Sequence, residues 1–311
     1  MNIVIAEPIS DRLNELVRVK DKNWKIYEDR PKTTEAFIER IKDAEAASSY
    51  SVRYSREVLE ACPKLKYVAI PAVGASFFID MDAARERGIT VMNCPGYNAR
   101  AVAELAVGFM IDLVRFVAPE HAKIASGAWN FALPAGHLLQ GKTVGLMGYG
   151  NVGKTIERIL KGWDMTVRHI DSSSRTEEID ELMKVSDIVV VCCPLTDATR
   201  NLVDGRRIAL MKQGAVIINV GRGGVINEDA LYEALQNGHI TGAALDVFEH
   251  EPVENTDPMD SIQRFTELPN VICTPHLAGT SEESRITLGE MIFESLESCE
   301  NNKPLNVYSS F

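Results

Sequence analysis

At 311 residues, with 45% apolar and 25% charged side chains, the chain has an ordinary globular composition and is too long for one small core, so two domains are expected. Its 33 Lys and Arg against 44 Asp and Glu leave a net charge of −11, which argues against nucleic acid or an anionic membrane surface as a partner. An anionic small substrate needs its own local arginine or lysine, because the global field repels it.

The N-terminal MNIVIAEPIS has no basic region followed by a long apolar stretch, so no secretion signal is expected. The longest apolar stretch, 101–118, contains Glu104, Asp112 and Arg115 and reads as a buried amphipathic helix, with no membrane span. Cys62, Cys94, Cys192, Cys193, Cys273 and Cys299 form no CxxC pair or Cys/His cluster. That pattern suits buried thiols in a reducing, cytoplasmic compartment and predicts no metal site.

Short apolar runs alternate with helical spacings from the start. NIVIA (2–6) is followed by Ile9, Leu13, Leu16 and Val17, then by WKIYED (24–29) and by Phe37, Ile38 and Ile41, a βαβα pattern. It continues through KYVAI (66–70), a helix over 82–87 and TVMN (90–93). A long helix over about 99–117 follows Pro95-Gly96-Tyr97. After a polar stretch at 127–140 the alternation restarts with KTVGLMG (142–148), a glycine turn, a helix over 151–162 and MTVRHID (165–171). Further runs at 188–193, 215–220, 240–245 and 271–274, with helices such as 228–236 between them, bring this half to six or seven strands. The last helix, 281–299, has no strand after it, so it is expected to return to the first lobe and make that domain discontinuous. The predicted class is α/β, with two doubly wound parallel-sheet domains.

The glycine turn reads Gly148-Tyr149-Gly150-Asn151-Val152-Gly153, directly after an apolar strand and at the start of a helix. The first glycine permits the tight turn, the second lets a pyrophosphate approach the backbone, and the third lets helix and strand pack closely. Asp171 ends the next strand, 18 residues beyond Gly153, where a carboxylate accepts the hydroxyls of an adenosine ribose. It would repel a 2′-phosphate, so NAD is favoured over NADP; Arg175, four residues on, is the one feature that pulls the other way.

Three later segments put polar residues at strand ends: Asn219-Val220-Gly221-Arg222-Gly223-Gly224, Asp246-Val247-Phe248-Glu249-His250-Glu251-Pro252 and Thr274-Pro275-His276-Leu277-Ala278-Gly279. Each follows an apolar run, so each is expected at the carboxyl edge of the sheet, where doubly wound proteins bind ligands. An arginine, an acid and a histidine would then share one cleft.

With these motifs in this order, and with PGYNARAVAE (95–104) and the closing Asn306-Val307, the chain resembles the D-isomer-specific 2-hydroxyacid dehydrogenase family. The resemblance implies a Rossmann cofactor domain (98–281) inserted into a discontinuous flavodoxin-like substrate domain (1–97 with 282–311). It implies Arg222 for the substrate carboxylate and carbonyl oxygen, His276 as acid/base and Glu251 as the histidine's partner. Cys193, Pro194, Val220 and Gly221 would line the cofactor, with Asp246 near its nicotinamide amide and His276 beside it. The backbone at Val73 and Gly74 would meet the substrate carboxylate, and Tyr50 would line the pocket or simply pack. Hydride transfer to a 2-oxo acid leaves negative charge on the carbonyl oxygen, which a guanidinium stabilises and an imidazolium protonates. A symmetric homodimer and a small 2-oxo or 2-hydroxy acid substrate are implied as well.

The chain also departs from the family pattern. Gly74-Ala75-Ser76-Phe77-Phe78-Ile79-Asp80 is longer and more apolar than the GxDNID usual there, and the loop Ser48-Ser49-Tyr50-Ser51 lacks the arginine of phosphoglycerate-handling relatives. Because the family also contains transcriptional corepressors that keep much of the site, retained motifs do not by themselves prove turnover.

Overall fold

The computed structural model describes residues 1–129, 135–252 and 259–308. The chain divides into two compact units, Met1–Asn98 with Thr280–Phe311, and Ala99–Gly279.

Unit 1 runs β1 (Ile3–Ile5), α1 (Asp11–Val19), β2 (Lys25–Ile26), α2 (Thr34–Ile41), β3 (Ala46–Ser48), α3 (Arg56–Ala61), β4 (Tyr67–Ala69), α4 (Met81–Glu86) and β5 (Thr90–Met92). Unit 2 runs α5 (Ala99–Arg115), α6 (Val117–Ala125), β6 (Thr143–Met147), α7 (Asn151–Leu160), β7 (Thr166–Ile170), α8 (Thr176–Val185), β8 (Ile188–Val191), α9 (Gly205–Leu210), β9 (Ala215–Asn219), α10 (Glu228–Gln236), β10 (Ile240–Leu245), α11 (Asp260–Thr266) and β11 (Val271–Cys273). Helix α12 (Glu282–Glu300) then belongs to unit 1.

Both sheets are parallel. The first has the order β2-β1-β3-β4-β5, the flavodoxin-like arrangement, and the second β11-β10-β9-β8-β6-β7. The second sheet is doubly wound about the β6/β8 boundary but has one strand fewer beyond β6 than the usual six-stranded Rossmann order. Its chain passes from β7 through the single helix α8 straight back to β8.

The period of two is visible in the packing. On β8, Ile188 and Val190 enter the core under α5, while Val189 and Val191 enter the opposite core with Leu182 and Leu231. All four are buried, at about 1.5 to 3 kcal/mol per side chain. On β1, Val4 faces one layer and Ile3 and Ile5 the other.

Helix α12 packs on α1. Ser10 Oγ donates to Arg285 O at 2.8 Å, and a Cβ on Gly289 would lie 2.7 Å from Ser10 Oγ, so the glycine allows the close approach. Trp24 stacks obliquely on Phe293 at 5.1 Å and donates to Glu300. These contacts make unit 1 discontinuous.

The long helix expected over about 99–117 is α5, which ends at Arg115, and a second helix, α6, follows it directly. Phe116 sits at φ 59°, a left-handed conformation that ends α5, and Pro119 then falls in the first turn of α6. The strand β3 was not predicted from the sequence. Among the described residues no helix is long and apolar enough to cross a membrane, and no cluster of three or more His, Cys, Asp or Glu could hold a metal ion.

Candidate active site

The carboxyl ends of β6, β8, β9, β10 and β11 bring most of the expected residues of unit 2 together. The turn Gly148–Gly153 joins β6 to α7. A Cβ on Gly153 would collide with Gly148 O, and one on Gly148 (φ 114°) would come 2.9 Å from Cys193 N, so both must be glycine. Gly150, between them, has nothing within 4 Å of its Cβ position. It is the N-cap of α7 and has no side chain to cap with, so the first-turn amides of Asn151, Val152 and Gly153 find no acceptor among the described residues. An open backbone face above unpaired helix amides fits the pyrophosphate of a dinucleotide.

Asp171 follows β7. Its Oδ1 accepts from Ser173 N (2.8 Å) and Ser173 Oγ (2.6 Å), and these bonds hold the carboxyl below its usual range. Oδ2 has no partner among the described residues. Arg175 pairs with Glu178 on its own helix at 3.5 Å and is largely exposed. Tyr149, within the glycine turn, stacks on His169 with centroids 3.6 Å apart and planes 7° apart, and its hydroxyl bonds Glu157. The sequence offered no signal for His169.

Behind this turn, Cys192 Sγ donates to Gly148 O at 3.1 Å, and a Cβ on Gly221 would meet Cys193 O at 2.7 Å. Burial pushes the Cys192 thiol up to about 12 and the Cys193 thiol up to about 11, so both stay protonated and inert at neutral pH. Pro194 O accepts from Thr199 Oγ1, and Val220 is buried beside them.

The loop after β9 is shaped by Asn219, which is buried, accepts from Gly221 N and donates to Arg222 O, both at 3.1 Å. Arg222 is exposed and, among the described residues, its side chain bonds only Gly221 O through its Nη1. Gly223 has its backbone against Phe248 and Glu249, with no room for a Cβ, so the Arg222 loop and the Asp246–Glu251 loop are locked together.

His276 and Glu251 meet. His276 Nδ1 lies 2.7 Å from Glu251 Oε2, and Glu251 Oε1 accepts from Phe248 N at 3.1 Å. Burial raises the Glu251 carboxyl, but the hydrogen bond and charge of His276, the Phe248 amide and the charge of Arg222 outweigh it and hold the group below its ordinary value. The adjacent His250 does not make this contact. His276 itself sits at φ 51°, uncommon for a residue with a Cβ.

Asp246 holds that conformation. It is 1% exposed; its carbonyl accepts from His276 N (2.8 Å), Oδ1 accepts from Thr274 Oγ1 (2.6 Å) and Leu277 N (2.9 Å), and Oδ2 accepts from Ala278 N (2.9 Å). Most of its acceptor capacity therefore goes to the loop that carries His276. Glu228 was also missed in the sequence. Its half-buried carboxyl, raised chiefly by that burial, accepts from Glu249 N at 2.7 Å and braces the Glu251 loop from α10.

In unit 1, Val73 and Gly74 follow β4. Asn93 Nδ2 holds Val73 O at 2.5 Å, while the amides of Val73 and Gly74 find no acceptor among the described residues. Tyr50 follows β3, and Arg30 Nη2 donates to its hydroxyl at 3.0 Å.

Residues 107–278 match the model of the D-isomer specific 2-hydroxyacid dehydrogenase NAD-binding domain. The chain is 34% identical over 288 residues to the glyoxylate reductase of Korarchaeum cryptofilum, covering 88% of this chain and 84% of that one. The chain belongs to the D-isomer-specific 2-hydroxyacid dehydrogenase family. It is also 34% identical over 309 residues to the D-3-phosphoglycerate dehydrogenase of Methanocaldococcus jannaschii, covering 96% of this chain but spanning only 57% of that longer relative. The D-lactate dehydrogenase of Lactobacillus jensenii, solved with NAD⁺, superposes with a TM-score of 0.82 at 26% identity and covers all of both chains. NAD is thus the cofactor type of this dehydrogenase.

Proposed function

We propose that this dehydrogenase interconverts a small (R)-2-hydroxy acid and its 2-oxo acid, with His276 as acid/base, Glu251 as its partner and Arg222 binding the substrate carboxylate and carbonyl oxygen. The observation that carries the reading is the 2.7 Å contact from Glu251 Oε2 to His276 Nδ1. With Nδ1 engaged, His276 Nε2 is the nitrogen left to give a proton to the carbonyl oxygen in reduction or to take it from the hydroxyl in oxidation. When bound, the nicotinamide supplies or accepts the hydride. Arg222 balances the negative charge that grows on the carbonyl oxygen, and Glu251 balances the positive imidazolium that precedes proton donation.

On the cofactor side, Gly148 to Gly153 cradle the pyrophosphate, and Asp171 Oδ2 accepts from the ribose. Cys193, Pro194, Val220 and Gly221 line the dinucleotide, and the lone pair left on Asp246 Oδ2 suits the nicotinamide amide. Val73 and Gly74 offer their unpaired amides to the substrate carboxylate, with Tyr50 beside them on the same sheet edge. We also propose a homodimer in which a second copy covers α6, none of whose residues is buried and whose Val117 and Ile124 are each 54% exposed. The six free thiols suit a reducing, cytoplasmic location.

The test is a panel of 2-oxo acids with NADH and NADPH, followed by chiral analysis of the product. Reduction with NADH to the (R) acid is expected. Accumulation of the (S) acid, or no turnover across the panel, overturns the reading.

A further inference from the structure

We propose that Arg30, held by Glu7 and Tyr50, sets substrate choice and selects 2-oxo acids that carry a second anionic group at the far end of the side chain. This rests on the reaction proposed above and names its substrate class.

The carboxyl edge of the unit 1 sheet carries, in strand order, Arg30 after β2, Glu7 after β1, Ser49 to Ser51 after β3, and Val73-Gly74 after β4. Glu7 is fully buried. Its Oε1 accepts from Ser49 Oγ, from Tyr50 N (2.7 Å) and from Ser51 N (2.8 Å), which fixes the backbone under Tyr50. Its Oε2 is buried without a hydrogen-bond partner, and the nearest cation, Arg30 Nε, lies 3.7 Å away.

An arginine whose only work was to neutralise Glu7 would turn its fork onto the carboxylate in a bidentate pair. Arg30 instead sends Nη2 to the Tyr50 hydroxyl and lays its guanidinium over the Tyr50 ring at 5.5 Å, with the side chain 63% exposed. Nη1 has no acceptor among the described residues. Arg40 pins the surrounding loops by donating to Ala6 O (2.8 Å), Asp29 O (2.6 Å) and Asp29 Oδ2 (2.8 Å). Pro8 and Pro31 restrict the backbones of the residues before them, Glu7 and Arg30.

The result is a charged fork with free donors, fixed from behind by a buried carboxylate and from the side by an aromatic ring. That is a preorganised site for a carboxylate or phosphate. In a chain of net charge −11 it supplies the local cation that a doubly anionic substrate requires. Arg30 follows β2, three strands along from β4, but its fork lies over the Tyr50 ring, and Tyr50 follows β3, the strand next to β4 and the amides of Val73 and Gly74, so the cation is carried across the sheet edge toward the far end of a 2-oxo acid held there.

The experiment compares kcat/KM with NADH for 2-oxoglutarate, 2-oxoadipate and 3-phosphohydroxypyruvate against 2-oxovalerate and 2-oxohexanoate, in the natural protein and in Arg30→Leu. The doubly anionic substrates are expected to lead by at least tenfold, with the carboxylate and phosphate arms deciding which anion fits best. Arg30→Leu should erase that lead mainly through KM and leave the neutral substrates within about threefold. Arg30→Gln, which keeps a donor for Tyr50, reads the same effect if the leucine variant does not fold. Equal or better use of neutral 2-oxo acids by the natural protein, or an equal loss for both classes in the variants, overturns the proposal. If no 2-oxo acid is reduced, the reaction reading falls, and calorimetric binding of 2-oxoglutarate against 2-oxovalerate decides Arg30 alone. Arg30-dependent preference for the dianion supports it, and its absence overturns it.

Discussion

The pairing of Glu251 with His276 makes a prediction that neither residue makes alone. In the reaction proposed above, reduction consumes a proton carried by the imidazolium, so kcat/KM for reduction should fall toward alkaline pH while oxidation rises. A neighbouring carboxylate favours the imidazolium, so Glu251→Gln should move the alkaline fall of reduction to lower pH and leave the substrate binding proposed for Arg222 in place. His276→Ala should lower kcat by about 10² to 10⁴ at every pH, the usual scale for a lost general acid. Stopped-flow pH profiles check both, and an unmoved profile in Glu251→Gln removes the pairing from the mechanism. At Asp171 the expected effect is on cofactor choice. NADH should be preferred over NADPH by at least about tenfold, and Asp171→Ala should shrink that ratio by removing charge repulsion worth about 1 to 2 kcal/mol. Because Arg175 is paired with Glu178, Arg175→Ala should change the ratio little. These residues stood out in the sequence because each sits in a short motif at a strand end. Glu228, His169 and Arg30 sit in no motif, and only their contacts with residues distant in the chain, Glu249, Tyr149 and Tyr50, single them out.

Among the elements, the loop from Thr274 to Ala278 depends on a single buried carboxylate. Asp246→Asn replaces one acceptor oxygen by a donor facing Leu277 N or Ala278 N, which should cost about 1 to 3 kcal/mol and release His276 from its left-handed conformation. Urea unfolding reads the stability loss, and a drop in kcat with NADH binding retained reads the loop. Elsewhere α8 and α9 are tied through Asp180, which accepts from Arg206 (2.6 and 2.9 Å) and from Arg207 Nε (2.9 Å). The Arg206 bonds chiefly, against some burial and with help from Arg207, lower its carboxyl to about 2. A group whose folded value lies below its unfolded value contributes stability above the ordinary carboxylate range and loses it as pH falls from about 4 toward 2. The natural protein should therefore lose on the order of 1 kcal/mol across that window that Asp180→Asn lacks from the start, measurable by denaturant midpoints at pH 5 and pH 3. Strand β3 and helix α6 were illegible for different reasons. Strand β3 is Ala46-Ala47-Ser48, three small residues with no β preference, and it is a strand because β1 and β4 flank it and bond both its edges. Helix α6 starts only one left-handed residue, Phe116, after α5, and a residue with a Cβ does not announce such a turn into a new helix.

For the whole molecule, the cofactor assignment has a thermodynamic consequence. A ligand that binds the folded state at a hundred times its Kd stabilises it by about 2.7 kcal/mol. NADH at that level should raise the melting temperature of the unit formed by Ala99–Gly279 by about 5 to 10 °C in calorimetry. No shift would remove the dinucleotide from this unit.

What the sequence by itself determined is what short-range chemistry encodes. Alternating apolar runs and helical spacings set two parallel α/β sheets, glycines at fixed intervals set the turn into α7, and the absence of a strand after the last helix is itself a local reading. These follow from period and backbone freedom within about twenty residues. Tertiary structure alone decided which polar groups meet. Glu251 faces His276, 25 residues away, and not His250 beside it; Asp246 spends its oxygens on the loop of Thr274 to Ala278; Glu7 holds Tyr50 and Arg30 at one sheet edge. Such meetings depend on strand register and loop closure over long stretches of chain, and on satisfying buried polar groups, quantities that no local pattern carries.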